Sequence, residues 1–490
     1  MITKQELLEF STQFSLRSDV VEKDYALGWL LTGIGRHPLL GEHWIFKGGT
    51  CLKKCYFETY RFSEDLDFTI LQPDHLNKEF LEKVFKEIAD WIYEQTGLEL
   101  PAENRVFEVY ETRGKPAGQG RIGYRGPTAP RGDLPRIKLD LTNDECLVAP
   151  SVRRKIHLPY SDSVDAAEVA CYDYEEIFAE KIRALSERLR PRDLYDVIHM
   201  YRHEELRPQP ASVRRILVEK CKYKTIGFPT LADLAREPRR TELENEWENM
   251  LGHQLPILPP FQQFWDELPE LFAWLIEERV TVALPSIPEI AGETGGIAIA
   301  VPQQPRTIPR FPLVPAPQPA RQFSGLANPL ELIRFAGANR LCVSLGYKGT
   351  KRLVEPYALR TTKDGNLLLH TVKTENREHR AYRVDKIESA ELTQRPFTPR
   401  WAIELTATGP LYAPPQGKGR SSPSTTPRRT PRTTRSTAFG AHEQKYVFRC
   451  SACNRKFTRK KYDATLSEHK DKNGNRCFGR WGVYEGTEWG

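Results

Sequence analysis

The sequence has no apolar run near the roughly 20 residues that a membrane-spanning helix needs, which argues against a helical membrane protein. Its first residues, MITKQELLEF, lack the basic and then apolar pattern of a secretion signal. It has only nine cysteines, an odd number in which six are scattered and three crowd the C-terminus, so a disulfide framework is not expected. We therefore expect a cytoplasmic protein with reduced thiols.

The composition is that of an ordered, soluble protein. Hydrophobic residues make up 39% and charged residues 28% of the 490 positions, a balance that excludes a wholly disordered chain. The net charge of +7 is unevenly distributed: residues 409–490 contain 17 Lys and Arg against 6 Asp and Glu. Because the rest of the chain is slightly acidic, we expect attraction to nucleic acid to concentrate in this tail.

A chain of this length predicts two to four domains, and two stretches divide it. One is rich in proline, and the other is rich in Ser, Thr, Pro and Arg and is expected to be disordered. The pattern predicts a mixed α/β segment, a helical segment, the Pro-rich linker, an all-β segment, the basic linker and a short C-terminal module, with the respective boundaries 1–160, 161–285, 286–325, 326–408, 409–440 and 441–490.

Helical periodicity in the first segment marks residues 4–14, 20–34 and 77–94. Three strands are predicted at WIFK, at residues 66–71 and at PRIKLDLTN, where apolar and polar residues alternate. The fold class predicted for the first half is therefore α/β (α+β).

The second of these strands carries an Asp-x-Asp motif. Side chains two apart on a strand lie on the same face, so Asp65 and Asp67 can bind one cluster of cations. Asp140 on the third strand could complete the cage. Carboxylate oxygens are the ligands that Mg²⁺ prefers, so the three residues predict a site for two magnesium ions, as nucleotidyl transfer requires.

A second group of residues near this motif suits phosphate binding. Gly48 and Gly49 allow close backbone approach, and Thr50 adds a hydroxyl at a helix start. Lys47 and Arg61 could add positive charge, and Ser63 belongs to the Arg-x-Ser-x-Asp-x-Asp pattern. These residues predict a nucleoside triphosphate site.

The segments EKDYALGWLL, FKGGTCLKKCY, RFSEDLDF and EEIFAEKIRALSERLRPRDLYDV resemble the AbiEii/AbiGii nucleotidyltransferase toxins of bacterial abortive-infection and toxin–antitoxin systems. The resemblance spans about residues 1–280 and implies a polymerase-beta-like nucleotidyltransferase fold. It implies that Lys181 and Asp193, and with them Asp196, are functionally required. It also implies transfer of a nucleoside monophosphate to an acceptor such as the tRNA 3′ end, and a cognate antitoxin.

Other interpretations of the same residues stay open. Asp193 and Asp196, at i and i+3 of a helix, could be a salt-bridged pair with Arg192 and Arg183. The acceptor could be a protein side chain instead of RNA. The whole first half could be an inactive scaffold for a nucleic-acid-binding regulator, or its site could be gated by a ligand of the middle segment.

The middle segment resembles WYL domains in VEPYALR and YRVDKIESAELTQRPF. This resemblance implies a small SH3/Sm-like barrel that binds a ligand or nucleic acid. Asn366-Leu367-Leu368 stands where that family has Trp-Tyr-Leu, so two of those three residues differ from the family's. An adaptor barrel is the alternative.

The C-terminal module contains Cys450-x2-Cys453, followed by His469 and Cys477. This Cys3His set predicts one structural zinc ion, without which so small a module would not fold. Basic residues interleaved with aromatic ones, such as Lys460, Lys461, Tyr462 and Trp481, suit binding to single-stranded nucleic acid.

Overall fold

The structure is a computed structural model in two compact units, Met1–Gln416 and Gly417–Gly490. The predicted linker 409–440 and all but the first three residues of the predicted linker 286–325 lie outside the described residues, as do residues 460–462 and Trp481. No helix in the described parts of the chain is both long enough and apolar enough to cross a bilayer. The structure describes residues 1–57, 60–128, 132–163, 167–204, 206–277, 284–288, 329–362, 366–405, 444–450, 453, 455–459, 466, 469–470, 476–477 and 482–489.

The first segment is built on seven strands: β1 (Trp44–Lys47), β2 (Asp65–Ile70), β3 (Arg105–Thr112), β4 (Lys115–Gly123), β5 (Arg136–Thr142), β6 (Val152–Lys155) and β7 (Glu168–Cys171). They form one sheet in the order β3-β4-β5-β2-β1-β7-β6. Strand β2 pairs parallel with β5 and antiparallel with β1, so the sheet is mixed. The prediction of a mixed α/β first half is confirmed.

Four helices accompany this sheet: α1 (Lys4–Phe14), α2 (Ser18–Arg36), α3 (Gly48–Cys51) and α4 (Lys78–Thr96). Helix α4 begins where the Asn77 side chain accepts hydrogen bonds from the backbone of Glu79 and Phe80, and it ends at Gly97, whose φ is 76°. Helix α2 is buried along most of its length because it packs between α4 and β7. The helices predicted at 4–14, 20–34 and 77–94 are confirmed to within a few residues.

The helical segment comprises α5 (Tyr174–Arg188), α6 (Pro191–Arg202), α7 (Pro210–Lys224), α8 (Leu231–Leu234), α9 (Arg239–Asn245), α10 (Trp247–Leu251), α11 (Phe261–Trp265) and α12 (Leu268–Glu277). Helix α5 is capped by the Asp173 side chain and ends at Leu189, which adopts a left-handed φ of 46°. Pro191 then starts α6, a position where its missing N–H costs no hydrogen bond. This corner packs α6 against α5, and it brings Lys181 of α5 next to Asp193 and Asp196 of α6.

The middle segment contains α13 (Pro329–Ala338) and five strands, β8 (Leu341–Tyr347), β9 (Thr350–Thr361), β10 (Leu367–Lys373), β11 (His379–Arg383) and β12 (Ile387–Pro396). The strands form an antiparallel sheet in the order β11-β10-β9-β8-β12. Buried residues of this segment, such as Ile333 and Phe335, belong to the same hydrophobic cluster as the first half. The predicted β-rich character is confirmed, whereas the SH3/Sm-like barrel and the WYL relationship stay predictions.

The second unit is also built of strands: β13 (Gln444–Cys450), β14 (Lys456–Arg459), β15 (His469–Lys470), β16 (Arg476–Cys477) and β17 (Gly482–Trp489). Strands β14, β13 and β17 form one small antiparallel sheet, and β15 pairs with β16.

Candidate active site and C-terminal metal site

Three neighbouring strands bring charged residues of the predicted site into register. Asp67 on β2 is paired with Lys47 on β1 and with Asp140 on β5. Paired residues on adjacent strands share a face of the sheet, and Asp65 shares it because it lies two positions before Asp67. The sheet therefore places the three predicted magnesium ligands on one face.

The carboxylates raise one another's affinity for protons. Burial, together with the charges of Asp140 and Asp65, raises the pKa of Asp67 to about 6, although Lys47 opposes the shift. Burial and Asp140 also raise the pKa of Asp65. Within the described residues, neither carboxylate has a hydrogen bond or an ion pair with a neighbouring side chain. A bound cation would relieve this repulsion.

The carboxylate of Asp140 has partners. Lys138 Nζ lies 2.7 Å from its Oδ2, and Gln119 Nε2 donates to its Oδ1 at 3.1 Å. Lys138 could have been anticipated, since it lies two residues before Asp140 on the same strand face. Gln119 carries no such signal, because only the register of β4 with β5 brings it there.

Two observations decide whether these residues fit magnesium. Among the described residues, the groups whose ligand atoms lie within 4.8 Å of one another are both cysteine clusters, so the three carboxylates are more widely spread. The donor set nevertheless fits a hard cation, because it is three carboxylates on paired strands, partly exposed and with two raised pKa values. Asp65, Asp67 and Asp140 could therefore hold Mg²⁺ if Asp140 exchanges Lys138 for the ion.

The two glycines after β1 pass very close to charged side chains. Gly48 has a φ of 84°, and a Cβ at this position would lie 2.3 Å from Asp67 Oδ2. A Cβ on Gly49 would lie 2.5 Å from Arg61 Nη2 and 3.2 Å from Ser63 Oγ. Glycine avoids both clashes, so the turn holds its backbone against the Asp67 carboxylate on one side and the Arg61 guanidinium on the other.

Lys47 and Thr50, predicted to bind phosphate, have partners within the fold. Lys47 Nζ lies 3.2 Å from Glu145 Oε1. The Thr50 hydroxyl is buried and donates to the backbone oxygen of Asp65 at 2.5 Å, which ties the glycine turn to the start of β2. The helix predicted to begin here is present as α3, and a π-helical turn, Leu52–Tyr56, follows it directly.

Arg61 forms a buried, bidentate ion pair with Asp196. Its Nε and Nη2 donate to the two carboxylate oxygens at 2.7 and 2.8 Å, and its Nη1 donates to Gln254 Oε1 at 2.9 Å. The Tyr60 hydroxyl donates to the same carboxylate. Burial disfavours the charge of Asp196, but Arg61 and Lys181 hold its pKa below the ordinary value.

Lys181 and Asp193 belong to the same buried cluster. Lys181 Nζ lies 2.7 Å from Asp196 Oδ2 and 3.6 Å from Asp193 Oδ1. Arg188 completes it by donating from Nε and Nη2 to Asp193 at 2.6 and 2.8 Å. The charge of Lys181 lowers the pKa of Asp67 slightly against the effect of burial, as expected if the cluster lies near the carboxylate face.

The ion pairs of the alternative interpretation are present, but their cationic partners are not those expected. Arg183 pairs with Glu180 and Glu187 instead of Asp193 or Asp196. Arg192 has no carboxylate within 4.0 Å in the described part of the chain; its Nε donates to the backbone oxygen of Met250 at 3.4 Å. The expectation was wrong because α6 begins at the corner with Arg188 and faces Arg61, which sequence spacing does not reveal.

The four predicted C-terminal ligands converge. The Sγ atoms of Cys450 and Cys477 are 3.8 Å apart, and Cys453 Sγ lies 3.3 Å from His469 Nε2. All four ligand atoms lie within 4.8 Å of one another, and the β15–β16 pairing sets His469 opposite Cys477. Leu466 is buried beside them, and Phe457 packs edge-on against the His469 ring. This cluster could hold a metal ion.

The sequence of residues 29–275, just over half of the chain, matches the family described as nucleotidyl transferase AbiEii toxin, type IV TA system. Among solved structures, MenT4, a nucleotidyltransferase toxin from Mycobacterium tuberculosis H37Rv, is 20% identical, with a TM-score of 0.40 over 55% of this chain and 89% of that chain.

JHP933 from Helicobacter pylori is 16% identical, with a TM-score of 0.27 over 54% of this chain and 99% of that chain. No curated protein matches the sequence. The family match covers the glycine turn, the Asp-x-Asp strand and the α5–α6 corner described above. The chain therefore belongs to the AbiEii family of nucleotidyltransferase toxins and is a nucleotidyltransferase.

Proposed function

We propose that this chain is a magnesium-dependent toxin that transfers a nucleoside monophosphate from a nucleoside triphosphate to an RNA end, with the tRNA 3′ end as the leading candidate. One observation carries the proposal: the register of Lys47, Asp67 and Asp140 across three strands, with Gly48 packed against the Asp67 carboxylate. The toxin activity is proposed to serve anti-phage defence and to be restrained by a cognate antitoxin.

The residues divide the reaction between them. Asp65, Asp67 and Asp140 would hold two Mg²⁺ ions, which supply charge neutralisation of the triphosphate and acidify the attacking hydroxyl. The backbone of Gly48 and Gly49 would approach the phosphates. The acceptor hydroxyl would attack the α-phosphate in line, and pyrophosphate would leave.

The buried cluster has a positioning role in this proposal. Asp196 and Asp193 fix the directions of Lys181 and of Arg61, which lies against Gly49, so these cations are ordered before the nucleotide arrives. Lys181 would contact the triphosphate directly. Arg61 and Ser63, which lie against Gly49, would define the floor of the phosphate site.

RNA is favoured over a protein acceptor by charge. The tail beyond residue 408 carries a net charge of +11, which suits the phosphate backbone of a nucleic acid. We infer that the Cys450, Cys453, His469 and Cys477 cluster holds one structural Zn²⁺. The ion would fold the C-terminal module, whose basic residues would then contact RNA.

The experiment is transfer of label from each of four α-labelled nucleoside triphosphates, with Mg²⁺, to total RNA and to total protein in separate reactions. We expect label in a discrete RNA class, and its loss in the Asp65→Ala/Asp67→Ala chain. Label found only in protein would replace the RNA acceptor with a protein one. No transfer with any nucleotide would favour the inactive-scaffold alternative.

A further inference from the structure

A second cysteine cluster lies in the core of the first unit, away from the carboxylate face. The Sγ atoms of Cys51, Cys55 and Cys171 lie within 4.8 Å of one another, and all three residues are fully buried. Cys51 ends α3, Cys55 follows in the π-helical turn, and Cys171 ends β7. The three thiols therefore come from two segments that meet only in the folded chain.

We propose that Cys51, Cys55 and Cys171 form a structural site for one thiophilic d¹⁰ cation, Zn²⁺ or Cu⁺, held by three thiolates. Thiolate sulfur is the donor that these ions prefer over water and carboxylate. This site is independent of the carboxylate site and of the Cys3His cluster in the second unit.

The spacing suits a shared ion. Two sulfurs that each lie about 2.3 Å from one metal are separated by roughly 3.8–4.0 Å. The three sulfurs lie within 4.8 Å of one another, so each pair would have to approach by at most about 1 Å to share an ion. Cys51 and Cys55 are four residues apart on one helical segment, a spacing that places both side chains on the same side of it.

Arg154 brings positive charge to the three buried thiols, because its guanidinium lies 4.5 Å from the centre of the Tyr56 ring, next to Cys55. Burial raises the pKa of Cys51 and Cys55, whereas their hydrogen bonds to Cys171 lower the pKa of Cys171. The charge of Arg154 lowers the pKa of both Cys55 and Cys171. Three thiolates with a divalent ion carry a charge of −1, which Arg154 would balance.

Binding would release the protons that the three thiols carry, without any oxidant or reductant. Because the sulfurs are fully buried, the ion would enter during folding, as in other closed structural sites. Among described His, Cys, Asp and Glu residues, no fourth ligand joins the cluster. Simple packing of three small apolar side chains is the competing explanation.

The metal site would stabilise the position of the glycine turn. Thr50, which ties the glycine turn to β2, directly precedes Cys51, and Cys171 is paired with Phe46 on β1. An ion bound by all three cysteines would link the segment that follows the glycine turn to strand β7 of the sheet.

The test is metal stoichiometry of the full-length chain, refolded under reducing conditions with Zn²⁺ or, in a separate arm, with Cu⁺, and then dialysed. Three chains are compared: wild type, Cys171→Ala, and Cys221→Ala, which removes a buried thiol outside the cluster. We expect Cys171→Ala to bind one ion fewer per chain than the other two in at least one arm. Equal stoichiometry of all three chains in both arms would overturn the proposal.

Two further measurements test the site independently if the Cys171→Ala chain folds poorly. Cys51→Ala should also lose one ion, and the Cys477→Ala chain refolded with Cd²⁺ should give sulfur-to-metal absorbance that decreases in Cys51→Ala/Cys477→Ala. Absorbance that is unchanged in the double variant would mean that the remaining C-terminal ligands bind the probe and would contradict the site.

Discussion

Asp196 is surrounded by donors that leave its carboxylate no contact with solvent. Arg61, Lys181 and Tyr60 all point at it, and its exposure is 0%. A buried charge with such partners is costly to remove, because the partners are then left buried without their counter-charge. Asp196 therefore stabilises the fold, a contribution that its i, i+3 spacing from Asp193 does not predict.

We predict that Asp196→Asn lowers the free energy of unfolding by about 3–5 kcal/mol. Lys181→Met should cost less, about 1.5–3 kcal/mol, because Asp196 keeps Arg61 and Tyr60 as partners. Urea unfolding of both variants measures the difference. If Lys181 contacts the triphosphate, Lys181→Met should lose transfer activity out of proportion to its stability; an active and merely destabilised variant would limit Lys181 to a structural role.

The ion pairs of Asp196 with Arg61 and Lys181 also predict that the free energy of unfolding depends on pH. The folded-state pKa of Asp196 is held below its unfolded value, so its stabilising contribution is fully present above about pH 4. It is lost as the pH falls from there towards the folded-state pKa. The difference in unfolding free energy between wild type and Asp196→Asn should therefore shrink below pH 4; a difference that grows on acidification would contradict the ion-pair assignment.

At the scale of elements, helix α6 is held from two sides. The α5–α6 corner supplies Lys181 and Arg188, and the end of α13 supplies Asn339, whose Oδ1 accepts a hydrogen bond from Tyr195 at 3.0 Å. The next residue, Arg340, lies 2.9 Å from Glu267, which also pairs with Arg202 at the end of α6. The middle segment thus contacts the helix that carries Asp193 and Asp196.

We predict that Asn339→Ala destabilises the chain by about 1–3 kcal/mol, because the buried Tyr195 hydroxyl loses its acceptor. Tyr195→Phe removes the other partner. Combining the two should cost clearly less than the sum of the single changes, as a double-mutant cycle measures. Additive losses would mean that this hydrogen bond does not join the middle segment to α6.

How far the sequence predicts the structure differs between elements. Helices α1 and α4 and strands β1, β2 and β5 have strong periodicity, and their alternation placed Asp65, Asp67 and Asp140 together. The hairpin β3–β4 was not predicted, because the apolar residues of its first strand do not alternate with polar ones: Phe107 is buried, whereas Val106, Val109 and Tyr110 are exposed. Two partners of Asp196, Tyr60 and Arg61, come from a segment more than 100 residues away, and one sequence holds no signal for that tertiary packing.

At the scale of the whole molecule, the two units differ in what stabilises them. The first unit has a large hydrophobic cluster, whereas the buried cluster described in the second consists of Cys450, Leu466 and Cys477. If the cluster holds the proposed zinc ion, we expect that ion to stabilise this unit. We predict that His469→Ala lowers zinc affinity and opens residues 444–489 to proteolysis.

The first unit provides the internal control, since its thermal transition should not change in this variant. Protease resistance of residues 444–489 that survives both His469→Ala and zinc removal would contradict the zinc assignment.

The tail also predicts how RNA binding responds to salt. Deleting residues 417–490 removes 17 Lys and Arg against 6 Asp and Glu. Each lost phosphate contact should reduce the slope of log K against log salt by about 0.7–0.9. Filter binding of RNA over a salt series measures this slope; a deletion chain with unchanged affinity and slope would place RNA recognition elsewhere.

The central claim, that the face bearing Asp65, Asp67 and Asp140 performs nucleotidyl transfer, is tested most directly by one comparison of initial rates. Asp67→Asn removes a carboxylate from that face, and Asp74→Asn removes an exposed carboxylate seven residues away as the matched control. With labelled nucleoside triphosphate, Mg²⁺ and RNA, we predict that Asp67→Asn lowers the rate by on the order of 100-fold or more, while Asp74→Asn keeps the wild-type rate. A folded Asp67→Asn chain that transfers label at the wild-type rate would contradict the claim.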